Sequence, residues 1–154
     1  MKFALKFISV LLLTFTLLIA ALATYILVDF TPAAPANQDE WLVNDVTQLN
    51  PISVSKVIRP VTSTEIIAAI VQTTGPVSIG GGRNSQGGQT AYPDSLHIDM
   101  RDFNKVIDLN VEEKWVTVQA GIRWRDLQES IDKHDLSVKI MQTYANFTVG
   151  GSLS

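Results

Sequence analysis

Hydrophobic positions fall into two regimes along the 154-residue chain. From Phe7 to Val28 they are nearly continuous and interrupted by no charge, whereas beyond residue 50 they recur at short periods between glycine, proline and polar runs. About 22 residues at 1.5 Å each rise roughly 33 Å, enough for a helix to cross a hydrocarbon core. Lys2 and Lys6 precede the run and Asp29 follows it, which places the N-terminal end in the cytoplasm. The pattern predicts a transmembrane helix within residues 1–30, anchoring the rest on the periplasmic or another extracytoplasmic side. The alternative is a cleaved secretory signal with Ala21-Leu22-Ala23 as its small-residue site, releasing a secreted protein. Continuation of the apolar run through Ile26-Leu27-Val28 exceeds the roughly 7–15 residues of a signal core and favours the anchor.

Residues 31–50 read as a linker and lead-in. Pro32 and Pro35 stiffen residues 31–38 into an extended tether, and residues 41–51 have no clear period. Ile52, Val54, Val57 and Ile58 predict a strand stopped by Pro60. Thr62-Ser63-Thr64-Glu65 has the form of a capping box, and Ile66, Ile67, Ala69, Ile70 and Val71 continue it as a helix ended by Gly75-Pro76. Residues 77–80 form the next strand, so the order is strand, helix, parallel strand. Residues 95–100 alternate like a half-buried strand, with His97 and Asp99 on the polar phase. Residues 105–109 and 115–119 flank a polar connection of hairpin length. Trp124, Leu127, Gln128 and Ile131 mark a helix to about His134, with Arg125, Glu129, Asp132 and Lys133 on its solvated side. His134 in its last turn suits the helix dipole. Residues 137–140 read as another short strand, followed by a small-residue loop over 142–154.

Composition narrows the partners. The formal charge is −3, and removal of the first thirty residues leaves ten basic against fourteen acidic residues, which argues against nucleic acid or anionic lipid as a ligand. No cysteine is present, so disulfides, thiolate metal sites and thiol catalysis are excluded. His97 and His134 are the two histidines, too few for a histidine-rich metal site.

Candidate chemistry concentrates in residues 77–88, Val-Ser-Ile-Gly-Gly-Gly-Arg-Asn-Ser-Gln-Gly-Gly. Gly80, Gly81 and Gly82 leave no side chain to keep a ligand from the backbone amides. Arg83 adds a forked cation, and Asn84 and Ser85 add short polar groups suited to an oxyanion. The competing reading is a glycine-rich hairpin that binds nothing. A Walker loop is excluded because no lysine lies between Lys56 and Lys105. The Gly-x-Gly-x-x-Gly fingerprint fails too: Ser85 takes the third glycine's place, and Gly87, Gly88 and Pro93 discourage a following helix. What remains is a phosphate-binding loop at the carboxyl end of a parallel strand, the usual ligand position in open α/β sheets. Gly150 and Gly151, with the hydroxyls of Thr148 and Ser152, form a second candidate loop able to grip the other side of one extended ligand. Alternatively, the second glycine pair simply relaxes a turn.

The succession of the strand into Arg59-Pro60, the capped helix, the loop at 80–88, Ile107-Asp108-Leu109, residues 116–127 and Thr148-Val149-Gly150-Gly151-Ser152-Leu153-Ser154 resembles the FAD-linked oxidase family. These are the flavoproteins with the fold of vanillyl-alcohol oxidase and p-cresol methylhydroxylase, whose flavin domain is called PCMH-type. The resemblance runs from residue 51 to 154. It implies an α+β fold in which the transmembrane helix is followed by an incomplete, two-lobed FAD-binding domain. It also implies FAD as cofactor, with Gly80, Gly81, Gly82, Arg83, Asn84 and Ser85 against the diphosphate and flavin edge, and Thr148, Gly150, Gly151 and Ser152 at a second contact.

Two departures qualify what the resemblance implies. Members often attach the flavin to a histidine where this chain has Asn84, and no cysteine offers the alternative, so a noncovalent flavin is expected. Members also continue well past the Gly-Gly-Ser-Leu-Ser block into a substrate domain that carries the catalytic groups, so no catalytic residue is assigned. The expected function is that of the N-terminal flavin-binding portion of an FAD-dependent oxidoreductase acting on an alcohol, sugar acid or lactone. The alternative is a membrane-tethered flavin-binding or vestigial module without turnover. The partners expected are the membrane, through the first helix, and a small-molecule substrate, with no nucleic acid.

Overall fold

The computed structural model describes residues 2–30 and 40–154; the tether expected at residues 31–38 lies outside them. The chain divides into two compact units, Met1–Asn37 and Gln38–Ser154. The first contains α1 (Lys2–Phe30). The apolar run does form a helix, but among the described residues no helix is long and apolar enough to cross a membrane. This corrects the transmembrane part of the expected fold; the mixed α and β content is found in the second unit.

Among the described residues, that unit holds three small sheets. β1 (Leu42–Val43) pairs antiparallel with β2 (Ile52–Ser53). β3 (Lys56–Ile58), β5 (Leu96–Asp99) and β4 (Val77–Gly80) form a parallel sheet in the order β3-β5-β4. β6 (Val106–Asn110) and β7 (Trp115–Val118) form an antiparallel pair with an irregularity between Val106 and Asp108. The single strand expected over 52–58 is therefore two strands serving different sheets. The break falls at buried Val54, whose amide donates to the Trp41 carbonyl, and at Ser55, whose amide donates to that of Ser95.

α2 (Ser63–Gln72) connects β3 to β4. Thr62 caps it by accepting from the Glu65 amide at 3.3 Å, and the Glu65 carboxylate accepts from the Val61 amide at 2.8 Å. The strand between β3 and β4 is β5, and this central place corrects the half-buried reading. All four β5 residues are buried, His97 and Asp99 included. A central strand of a covered sheet buries both faces, so alternation no longer reports exposure.

α3 (Trp124–Ile131) continues into a 3-10 turn at Asp132–His134. No strand forms at 137–140. Side chains take the place of a strand partner: the Gln128 side chain accepts from the Val138 amide at 3.0 Å and donates to the Leu136 carbonyl at 3.1 Å. The final loop is the start of α4 (Val149–Leu153), capped by Thr148.

Two hydrophobic clusters hold these pieces. Leu96, Ile98 and Met100 pack with Ile58, Ile66, Ala69 and Phe103 beneath α2. Ile122, Trp124, Leu127, Ile131 and Val149 pack with Leu109, Val116, Val118, Leu136, Val138 and Phe147 between the hairpin and α3. Each fully buried aliphatic side chain contributes about 1.5–3 kcal/mol.

Candidate functional site

β4 ends at Gly80, and the chain bends through Gly81 and Gly82 into Arg83, whose φ of 55° is left-handed. Absence of side chains at the bend is required by the opposite wall. A Cβ on Gly81 would lie 2.4 Å from Thr148 Oγ1, and one on Gly80 would lie 2.9 Å from Thr90 Oγ1 and 3.0 Å from the His97 ring. The glycines thus bring the loop against the Thr148 turn. Between them lies a cavity of about 410 Å³, within the size range of small-molecule sites.

Of the residues singled out in the sequence, Gly80, Gly81, Gly82, Arg83, Asn84, Ser85, Thr148 and Gly151 line this cavity. Gly150 and Ser152 do not. The Gly150 amide donates to the Ala120 carbonyl at 2.8 Å, and the Ser152 hydroxyl accepts from Trp124 Nε1 at 2.8 Å. The second loop also differs in kind from a phosphate cradle. The amides of Val149, Gly150 and Ser152 donate to the carbonyls of Ile122, Ala120 and Thr148, and that of Gly151 to the Thr148 hydroxyl. It supplies a wall. The amides of Gly81 and Gly82, by contrast, have no protein acceptor among the described residues, which leaves them available to an oxyanion.

Sequence reasoning missed Gln89, Thr90, Gln142 and Phe147, which also line the cavity. Gln142 Oε1 is buried without a hydrogen-bond partner. An orphaned acceptor and two acceptor-free amides on residues lining one cavity suit a ligand that carries both anionic oxygens and hydroxyl or N–H donors. FAD is such a ligand, so the residues present fit its diphosphate and polar groups.

Arg83 does not simply point at an anion. Its Nη2 donates to Asp99 Oδ2 at 3.0 Å, while its Nε is buried and unpartnered. Asp99 is wholly buried and also meets Arg101 Nε at 2.8 Å and Arg59 Nε at 3.4 Å. Burial alone would raise the Asp99 pKa, but the Arg101 hydrogen bonds and the charges of Arg101 and Arg83 outweigh it and hold the carboxyl below its usual range. Burial lowers the pKa of Arg83. The register explains the convergence: Gly80 pairs with Asp99 and Ile58 with Ile98, so Arg59, Arg83 and Arg101 all follow strand ends around one carboxylate.

His97 lies one pleat below. Its Nδ1 is 2.9 Å from Ser78 Oγ, and Nε2 is buried and unpartnered. Burial and then the nearby Arg83 charge pull its pKa down to about 4, so the ring is neutral near pH 7. His97 is thus a core residue beneath the glycine bend, where the sequence had suggested a partly exposed one.

Fold and cavity together define an α+β ligand-holding domain with a glycine bend at the end of a parallel strand. The chain belongs to the FAD binding domain family, which its residues 54–154 match. Over 87 residues it is 36% identical to L-gulonolactone oxidase of Mus musculus, covering 56% of this chain and 20% of that protein. It is 34% identical over 77 residues to D-2-hydroxyglutarate dehydrogenase of Pseudomonas putida, covering 49% of this chain and 8% of that protein. Among solved structures, alkyldihydroxyacetonephosphate synthase superposes with a TM-score of 0.57 at 21% identity, covering 68% of this chain and 21% of that one, a likeness of fold. The chain spans about a fifth of the length of the L-gulonolactone oxidase it matches.

Proposed function

We propose that this chain is the flavin-binding portion of an FAD-dependent oxidoreductase and that FAD is held noncovalently in the cavity between the glycine bend and the Thr148 turn. The observation that carries the reading is the pair of acceptor-free amides at Gly81 and Gly82, set opposite Thr148 in a domain of this family. Gly81 and Gly82 would hold a diphosphate oxygen, with Asn84 and Ser85 beside it; Thr148 and Gln142 would receive the hydroxyl or N–H groups. When bound, the isoalloxazine supplies the acceptor for the two electrons removed from substrate. The protein's part is orientation, because Arg83 is the one ionisable residue among those lining the cavity and its guanidinium is engaged by Asp99.

Noncovalent binding is supported by Asn84 in the place of the attachment histidine, by the absence of cysteine and by the burial of His97 behind Gly80. Kinship with L-gulonolactone oxidase and D-2-hydroxyglutarate dehydrogenase favours a lactone or sugar-acid substrate for the complete enzyme. Titration of the chain with FAD, followed by flavin fluorescence, should give saturable quenching, and acid precipitation should leave all flavin in the supernatant. Absence of saturation would remove the binding reading, and yellow precipitated protein would remove the noncovalent one.

A further inference from the structure

The glycine loop is fastened from outside by a segment that precedes the part of the chain matching the family, which begins at residue 54. Asp45 is 1% exposed. Its Oδ1 accepts from the Thr47 amide at 2.9 Å and the Thr47 hydroxyl at 2.6 Å, and its Oδ2 accepts from the Gly88 amide at 3.0 Å and Asn50 Nδ2 at 3.2 Å. Its neighbour Val46 donates its amide to the Arg83 carbonyl at 2.8 Å. Two adjacent residues thus hold both ends of the stretch from Arg83 to Gly88, and both ends need holding. Arg83 sits at φ 55° and Gly88 at φ 75°, conformations that lack sheet or helix bonds to maintain them. The Asp45 carboxylate is saturated by four donors, a set that favours its charged form over any neutral replacement. The loop between the two fastenings carries Asn84 and Ser85, which face the cavity.

We propose that Asp45 is a positioning residue for flavin binding: with Val46 it clasps the phosphate loop in its binding-competent shape before any ligand arrives. This rests on the FAD reading above. Asp45 touches no part of the cavity, so it acts through the loop, and its effect is to spare the ligand the cost of ordering residues 83–88.

Asp45→Asn makes a selective test. The amide keeps the side chain's size and an Oδ1 acceptor for Thr47, but it turns N–H donors toward the Gly88 amide and Asn50. Hydrogen exchange of the full chain without flavin should become at least tenfold faster at Gly88 and neighbouring loop amides, while β6, β7 and α3 keep their protection. The FAD Kd should rise about tenfold, the scale expected for one lost charge-assisted bond. Unchanged loop exchange overturns the clasp, and so does exchange accelerated equally everywhere, which would make Asp45 a general support of the fold. If Asp45→Asn does not fold, Asn50→Ala removes only the outer donor to Oδ2; it should speed Gly88 exchange several-fold, and no change there overturns the proposal. Should wild-type protein take up no FAD, the proposed function falls, whereas the flavin-free exchange comparison still decides whether the clasp exists.

Discussion

Gly121 is the position where a single atom matters most. A Cβ there would lie 1.7 Å from the Met100 carbonyl oxygen and 2.7 Å from that of Phe103, both backbone atoms that cannot rotate away. Its own amide donates to the Phe103 carbonyl at 2.7 Å. Gly121→Ala should therefore destabilise the chain by about 3 kcal/mol or more, at or beyond the upper end of ordinary overpacking, measured as a fall in the urea midpoint. His97 gives a second residue-scale prediction. Its native pKa of about 4 lies below the ordinary 6.5, so the unfolded chain binds the proton first as pH falls. The stability from keeping this ring neutral is complete above pH 6.5 and is lost between 6.5 and about 4. The loss should approach about 3 kcal/mol at roughly 1.4 kcal/mol per unit, and His97→Gln should flatten the pH dependence of the unfolding free energy across that window. Neither position announced itself in the sequence. Gly121 lies outside the motifs that the sequence pattern singles out, and His97 falls on the polar phase of a half-buried strand because alternation assigns faces without knowing that a strand is central. The partners of Asp99 were hidden for a related reason: Arg59 and Arg83 reach it only once the sheet order β3-β5-β4 is known.

At the scale of elements, what was legible was local. The capping box from Thr62 to Glu65 and the hairpin around residues 110–114 depend on partners close in sequence, and the strand into Gly80 shows in its own apolar alternation of Val77 and Ile79. Thr62→Ala removes the side-chain acceptor for the Glu65 amide and should lower stability by about 1 kcal/mol, read as a small shift of the denaturation midpoint. The effect stays modest because α2 has no fully buried residue, so its first turn can fray without opening a core. What was illegible depended on distant groups. Residues 137–140 have strand-like composition but bond to Gln128 instead of a neighbouring strand. The Gly-Gly pair at 150–151 looked like a second backbone cradle, yet the Thr148 cap and the carbonyls of Ala120 and Ile122 draw it into a short helix.

At the scale of the whole second unit, the glycine bend meets the Thr148 turn at the cavity. β4 and the bend lie beside β5, whose Leu96 and Ile98 belong to one hydrophobic cluster; the other cluster carries Val149, next to Thr148. The cavity lies between that bend and that turn, so its lining comes from two stretches, residues 79–90 and 142–154, more than fifty residues apart in sequence. A one-dimensional reading could name both stretches from their glycines. It could not say that one would leave its amides without protein acceptors and the other would not, because that depends on which carbonyls fold within reach. Thr148 is 3% exposed and forms an isolated bridge with Arg123, which fixes the turn to the start of α3. The bare backbone at Gly81 therefore works as a calliper jaw resting on a threonine. Its thickness sets how far the halves of the unit stand apart, and even one methyl group inserted there would act as a wedge and change the bore of everything on either side.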